Sequence, residues 1–322
     1  MIKVVVIGGG TGSSTMLRGL KELENLHLTS IVTGADSGGR TGRLRDRYHL
    51  PAMGDIRNVM GALAQSESLL TSLMDYRFED VKRVGSDRDI GGHNLGNLIL
   101  TALIQKFGNM NTAIGEISKV LNVKGDIIPS TTQTIQLYAR MIDGTIVMGE
   151  DNIPKGTNQI EKVFYTEHVE ATPKAIKAIN EADIVILGIG SLYTSILPNI
   201  IIDGIKKAIK ESPAKVIYYC NVMTQRGETD FYSIEDHVRS IEKHGQFELD
   251  GVVIASDTIP TSLQEIYKRE DSSPVKTDGS PHKYLVYRYP LLTFQNQQVR
   301  HDPLLVAKSF VHLLKALEIT GD

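Results

Sequence analysis

Cys220 is the chain's single cysteine, so no intramolecular disulfide can form and a disulfide-stapled secreted scaffold is excluded. No run of about 18 apolar residues is present, so no membrane insertion is expected. The start, Met1-Ile2-Lys3, enters an apolar stretch directly and lacks the basic region and small-residue cleavage site of a secretory signal. The expected location is cytoplasmic. An excess of one charge is missing too: 35 basic side chains stand against 38 acidic ones, a net charge of −3. That balance argues against nucleic acid as a partner. No Walker-type lysine follows the glycine-rich start. The nine histidines are scattered, with no H-x-x-x-H or C-x-x-C pair, so no metal site is expected from them. Internal repeats, heptad runs and low-complexity tracts are absent.

What is present is a large apolar fraction, 41% of residues, arranged in short blocks. Lys3 to Ile7 is a continuous apolar run, as a parallel strand buried on both faces requires. A glycine-rich turn follows, then a helical period through Met16, Leu17, Leu20 and Leu23, then a second strand over 27–33. This is a βαβ unit. The polar, glycine-rich stretch 34–55 reads as a loop that is either functional or disordered. Helical patterns at 56–64, 69–76, 94–107 and 111–121 break the alternation. Two β-like runs, 135–141 and 145–149, flank Asp143-Gly144, a strong hairpin signal. With an exposed loop at 152–159 and an extended run at 162–170, they predict an antiparallel flap at a sheet edge.

Alternation then resumes. Helices are expected at 173–180, 198–210, 233–243, 262–268 and 303–317. Strands are expected at 183–187, 214–219, 251–255 and 283–287, and a mobile loop at 270–281. The reading is an α/β, Rossmann-like doubly wound fold with a mainly parallel sheet. It forms one nucleotide-binding domain over 1–322, with a helical and hairpin insertion at about 56–170.

Five segments carry candidate chemistry. Gly8, Gly9, Gly10, Thr11 and Gly12 join a buried strand to a helix, where backbone N–H groups approach an anion and the helix dipole favours it. The bland alternative is a tight turn without a ligand. A dinucleotide fingerprint would need glycine where Ser13 stands, which weakens an NAD assignment. Asp36, Arg40 and Arg43 lie in a glycine-arginine loop suited to clamping phosphates, or simply to solvation. His93, Asn94 and Asn97 crowd the first turn of a helix, to cap it or to read a base or sugar. Gly190 and Ser191 form a second glycine turn after a buried strand, as a crevice at a topological switch point requires. Asn221 and Thr224 end the next strand, beside Cys220, which reads as a core side chain rather than a nucleophile. Asp36 and Asp55 are weak candidates for Mg²⁺ held jointly with ligand phosphates.

Taken together, these segments are specific. With Gly54-Asp55-Ile56-Arg57-Asn58, Gly188 to Pro198 and Tyr218 to Thr229, the chain resembles the superfamily of 2-phospho-L-lactate transferase (CofD-like) and the bacterial gluconeogenesis factors. Gly190 to Ile196 and Cys220 to Gln225 look more like the gluconeogenesis factor branch. Departures from the pattern stand at Ser37, where a second aspartate is typical, and at Arg226, where proline is typical. The resemblance implies a nucleotide in the crevice. In the transferase branch it is a guanosine nucleotide carrying phospholactate to a deazaflavin. The other branch is associated with UDP-sugar binding and cell shape during gluconeogenic growth, with no established reaction.

The leading expectation is therefore a UDP-sugar-binding regulator without a required catalytic step. Alternatives are a transferase using a nucleotide diphosphate such as GDP, with Asp36, Asp55, Arg40 and Arg43 as catalytic candidates, and an NAD(H)-binding protein. Arg300, just before the last helix, is expected to pair with a diphosphate, the alternative being an exposed salt bridge. A homodimer is expected by analogy with other Rossmann-like proteins.

Overall fold

The computed structural model describes residues 1–35, 44, 48, 50–51, 53–65, 69–79, 90–156 and 158–320. Seven parallel strands form the central sheet. They are β1 (Ile2–Ile7), β2 (Leu26–Val32), β3 (Asp126–Pro129), β7 (Ile184–Leu187), β8 (Lys215–Tyr219), β9 (Gly251–Ala255) and β10 (Leu285–Tyr289). Between β3 and β7 in the chain, β4 (Tyr138–Met141), β5 (Ile146–Met148) and β6 (Ile160–Phe164) form a separate antiparallel sheet in the order β5-β4-β6. The last pair, β11 (Leu292–Gln295) and β12 (Gln298–His301), is a hairpin.

The spatial order of the large sheet is β10-β9-β8-β7-β1-β2-β3. The chain winds outward from β1 through β2 to β3, returns to β7 beside β1, and winds the other way to β10. The register sets Val4 beside Leu28 and Ile184. From Val4 to Ile7, strand β1 is apolar without alternation because both faces are covered there. Val4 and Val6 join the core that holds Met16, Leu17 and Leu20 of the Gly10–Leu20 helix and Ile56, Val59 and Met60 of the Gly54–Leu63 helix. Val5 and Ile7 join the opposite core, with Leu192, Tyr193, Ile196 and the inner face of the small sheet. Burying each such aliphatic side chain contributes about 1.5–3 kcal/mol.

Several expectations change. The first helix begins at Gly10, not Ser13, so Gly10, Thr11 and Gly12 form its first turn. Strand β3 was not anticipated; it lies inside the 56–170 stretch yet belongs to the main sheet. The Asp143-Gly144 hairpin is present: Gly144 takes φ +87° and the Asp143 carboxylate accepts the Thr145 N–H at 2.9 Å. Its strands, however, build their own three-stranded sheet rather than a flap on the main sheet's edge. The segment 152–159 is not wholly exposed, because Ile153 in a short 3₁₀ turn is fully buried. The helix expected at 198–210 is divided into a short helix Leu197–Ile200 and a helix Asp203–Glu211, and a π turn over Leu192–Ile196 precedes them.

The segment 270–281 is pinned rather than loose. The Thr224 N–H donates to Ser273 O at 2.8 Å, Val275 N–H to Val222 O at 2.8 Å and Ile234 N–H to Lys276 O at 3.0 Å. The β11–β12 hairpin was also missed; it turns through Asn296 and Gln297, both in the left-handed region. No helix among the described residues is long and apolar enough to cross a membrane.

Candidate functional site

The carboxyl ends of β1 and β7 lie side by side at the point where the winding direction reverses. Ligands of open α/β sheets bind in the crevice at such a point. Each of the two strands ends in a glycine turn, and the two turns touch. A side chain at Gly12 would place its Cβ 2.6 Å from the Ile189 carbonyl oxygen, and one at Gly190 would stand 3.2 Å from Gly9 O. Gly10 adopts φ +68°, a conformation that favours glycine. The helix N-cap is Gly9, which has no side chain to cap the first turn. The first-turn amides lie at the positive end of the helix dipole, with the Asp55 carboxylate close by. Ser13 is fully buried at this turn, and its hydroxyl has no hydrogen-bond partner among the described residues.

The second turn is held from below. The Gly190 N–H donates to Asn221 Oδ1 at 3.4 Å, and Asn221 Nδ2 donates to Gly190 O at 2.8 Å. Ser191 Oγ donates to the carboxylate of Glu228. Glu228 is buried, with 2% of its surface exposed. It also accepts from Tyr193 N–H at 3.1 Å, Thr194 Oγ1 at 3.1 Å and Gln225 Nε2 at 2.7 Å. Burial raises its pKa, and the hydroxyl and amide donors only partly oppose that rise. Sequence reasoning did not single out Glu228, because a lone acid after Gly227 carries no signal of its burial.

Asp55 sits in the first turn of the Gly54–Leu63 helix with its carboxylate against the α-carbon of Gly9. Two residues further on, Arg57 pairs with Asp75 and donates to Asn58 Oδ1 at 2.5 Å. Burial lowers the Arg57 pKa, and Asp75 opposes the shift. Gly96 backs onto the Arg57 side chain, with 2.9 Å from a built Cβ to Arg57 Cδ. The His93–Asn97 segment therefore contacts the Asp55 helix. Asn94 is that segment's N-cap: its Oδ1 accepts the Asn97 N–H at 3.3 Å and its Nδ2 donates to Asp75 O at 3.1 Å. Capping, one of the two roles expected for it, is the one these bonds describe. His93 and Asn97 are buried beside it.

Of the remaining candidates, Thr224 is buried, and its Oγ1 accepts the Ser273 N–H at 2.9 Å. Arg300 is exposed on β12, opposite Thr293, and its Nε donates to Gln298 Oε1 at 3.1 Å. Among the described residues, no hydrogen bond or ion pair joins it to the glycine turns. Cys220 is buried, and burial pushes its thiol up to about 12, as a core side chain requires. Asp36, Arg40 and Arg43 lie outside the described residues. The structure thus brings Gly9, Gly10, Gly12, Asp55, Gly190, Ser191 and Asn221 together. No group of three or more His, Cys, Asp or Glu side chains suited to a metal occurs among the described residues.

Fold and crevice define a class: a Rossmann-like α/β protein with paired glycine turns at its switch point. The family model described as 2-phospho-L-lactate transferase CofD matches residues 4–291, and the chain belongs to that family. It is 42% identical to the gluconeogenesis factor of Bacillus subtilis over 97% of this chain and 98% of that protein. It is 41% identical to the gluconeogenesis factor of Halalkalibacterium halodurans over 96% of this chain and 95% of the relative. A crystal structure of a UPF0052 family protein from Bacillus halodurans superposes with a TM-score of 0.89 at 39% identity, covering 96% of this chain and 99% of that one.

Proposed function

We propose that this protein is a nucleotide-binding gluconeogenesis factor whose ligand lays its phosphates across the first turn at Gly10–Gly12 and the facing Gly190–Ser191 turn. The observation that carries this reading is the glycine turn at the helix start on the switch point, where Gly10 takes φ +68° and a second glycine turn closes the other side. The buried Ser13 hydroxyl adds a polar atom that a phosphate or its water would satisfy. A UDP-sugar is the ligand class proposed, and the role is that of a cytoplasmic regulator of cell shape under gluconeogenic growth. The relatives' name supports the metabolic setting.

Among the described residues, Asp55 places its carboxylate beside the first glycine turn. That fits Mg²⁺ only when ligand phosphates complete its shell, which is how Mg²⁺ commonly binds nucleotides. A second reading, a transferase acting from a nucleotide diphosphate, is favoured by the CofD family match. It requires a general base near the phosphates. Glu228 already accepts four donors, so Asp55 is the candidate. A homodimer belongs to the same proposal.

Thermal-shift screening against UDP-sugars, GDP and NAD, with and without Mg²⁺, tests the ligand class. Stabilisation by UDP-sugars that Gly10→Val abolishes is the expected result. A folded Gly10→Val variant with unchanged affinity rejects the phosphate assignment, and stabilisation by GDP alone favours the transferase.

A further inference from the structure

A cavity of about 510 Å³ opens at the carboxyl ends of β8, β9 and β10, within the size range of small-ligand sites. It shares Asn221 with the glycine crevice, since that side chain is bonded to Gly190 and also lines the cavity wall. Two cations stand on its walls: Lys276, from the segment pinned beneath β8, and Arg288, from β10. Among the described residues neither makes an ion pair or a side-chain hydrogen bond.

Arg288 also breaks its strand's pattern. It pairs in register with Ile254, which belongs to the apolar core, and Val286 two residues earlier packs against the same core. Two acceptors on the wall are held in place. Asp257 Oδ2 accepts the Leu291 N–H at 2.7 Å, which leaves the second oxygen available. Gln264 Nε2 donates to Ile259 O at 2.7 Å, which leaves its amide oxygen as an acceptor. Thr258 adds a hydroxyl. Two free cations with two fixed acceptors suit a ligand carrying a negative group and neighbouring hydroxyls. A guanidinium supplies the forked donors that bind phosphate or carboxylate in two contacts.

We propose that this cavity is an anion subsite for a small hydroxylated phosphate monoester or carboxylate. Arg288 and Lys276 bind the charge, and Asp257 and Gln264 accept from hydroxyls. The anion is either a separate metabolite or the distal group of a nucleotide ligand; the chemistry is the same.

Calorimetry on the full chain with glycerol 3-phosphate tests it. Saturable binding is expected, absent with uncharged glycerol and weakened at least tenfold by Arg288→Ala and by Lys276→Ala at unchanged melting temperature. Gly10→Val, which disables the proposed phosphate site, leaves this binding intact, so the two readings fail separately. With UDP added first, competition assigns the anion to the nucleotide's own end, and joint binding assigns it to a second metabolite. No saturable binding at millimolar concentration, or equal affinity in wild type and Arg288→Ala, overturns the proposal.

Discussion

The carboxylate of Asp55 rests against the α-carbon of Gly9, so close that any side chain at position 9 would collide with it. Gly9 has φ −162°, which any residue adopts, so the demand for glycine here is steric and not conformational. Gly9→Ala is expected to destabilise the fold by about 1–3 kcal/mol through overpacking. Asp55→Gly in the same chain should return most of that loss. Urea unfolding of the single and double variants checks this, and additive effects would show that the two residues do not press on one another.

Asp55 should also govern the metal dependence of ligand binding. In Asp55→Asn, affinity for a UDP-sugar in the presence of Mg²⁺ is expected to fall about tenfold, or about 1.4 kcal/mol. Without Mg²⁺ it should be unchanged or higher, because a negative charge beside the phosphates is gone. Titration calorimetry with and without Mg²⁺ reads both arms. A uniform loss in the two conditions would make Asp55 a purely structural contact.

Removing Glu228 leaves the Ser191 hydroxyl, the Tyr193 N–H and the Gln225 amide without their acceptor, and leaves the Thr194 hydroxyl only Ser191 Oγ. Glu228→Ala is therefore expected to cost about 3 kcal/mol or more and to loosen the Gly190–Ser191 turn. Glu228→Gln should recover part of that stability. The raised pKa of Glu228 gives its contribution a sign: it is complete below the unfolded-state value and declines as pH rises through the folded-state value. The Gln variant should lack that decline in a pH series of melting temperatures.

Among the described residues, the Arg300 side chain bonds to Gln298. Arg300→Ala is expected to leave melting without ligand nearly unchanged and to weaken UDP-sugar binding at least tenfold, about 1.4 kcal/mol. Normal binding by a folded variant would restrict the ligand site to the glycine turns.

Acid should destabilise the protein through its buried histidines. Burial lowers the His301 pKa from 6.5 to about 4, and its Nε2 has no partner among the described residues. His237 and His244 are lowered by burial as well. A neutral buried histidine stabilises fully above its unfolded pKa, and the contribution is lost as pH falls toward the folded value. For His301 the loss falls within that window. His301→Phe should flatten the decline between pH 6.5 and 4 in chemical denaturation; an unaltered slope would place its source elsewhere.

The sequence alone determined the parts whose physics is local. A strand buried on both faces shows as an unbroken apolar run, so β1, β7, β8 and β9 were legible. Pro173 and Pro303 marked helix starts, and Asp143-Gly144 marked a hairpin. Glycine beside a strand end gave both turns of the crevice. Tertiary structure decided the rest. Only the return of the chain to β7 beside β1 makes the two glycine turns neighbours, because strand order is set by crossovers that no local pattern encodes. Only packing makes β3, four residues long, a member of the main sheet. For Asn94, read as a cap or a ligand contact, and Thr224, a candidate ligand contact, tertiary structure directs bonds to Asp75, Asn97 and Ser273. Glu228 became the support of Ser191 because the fold removed it from water, where a carboxylate must gather every donor within reach.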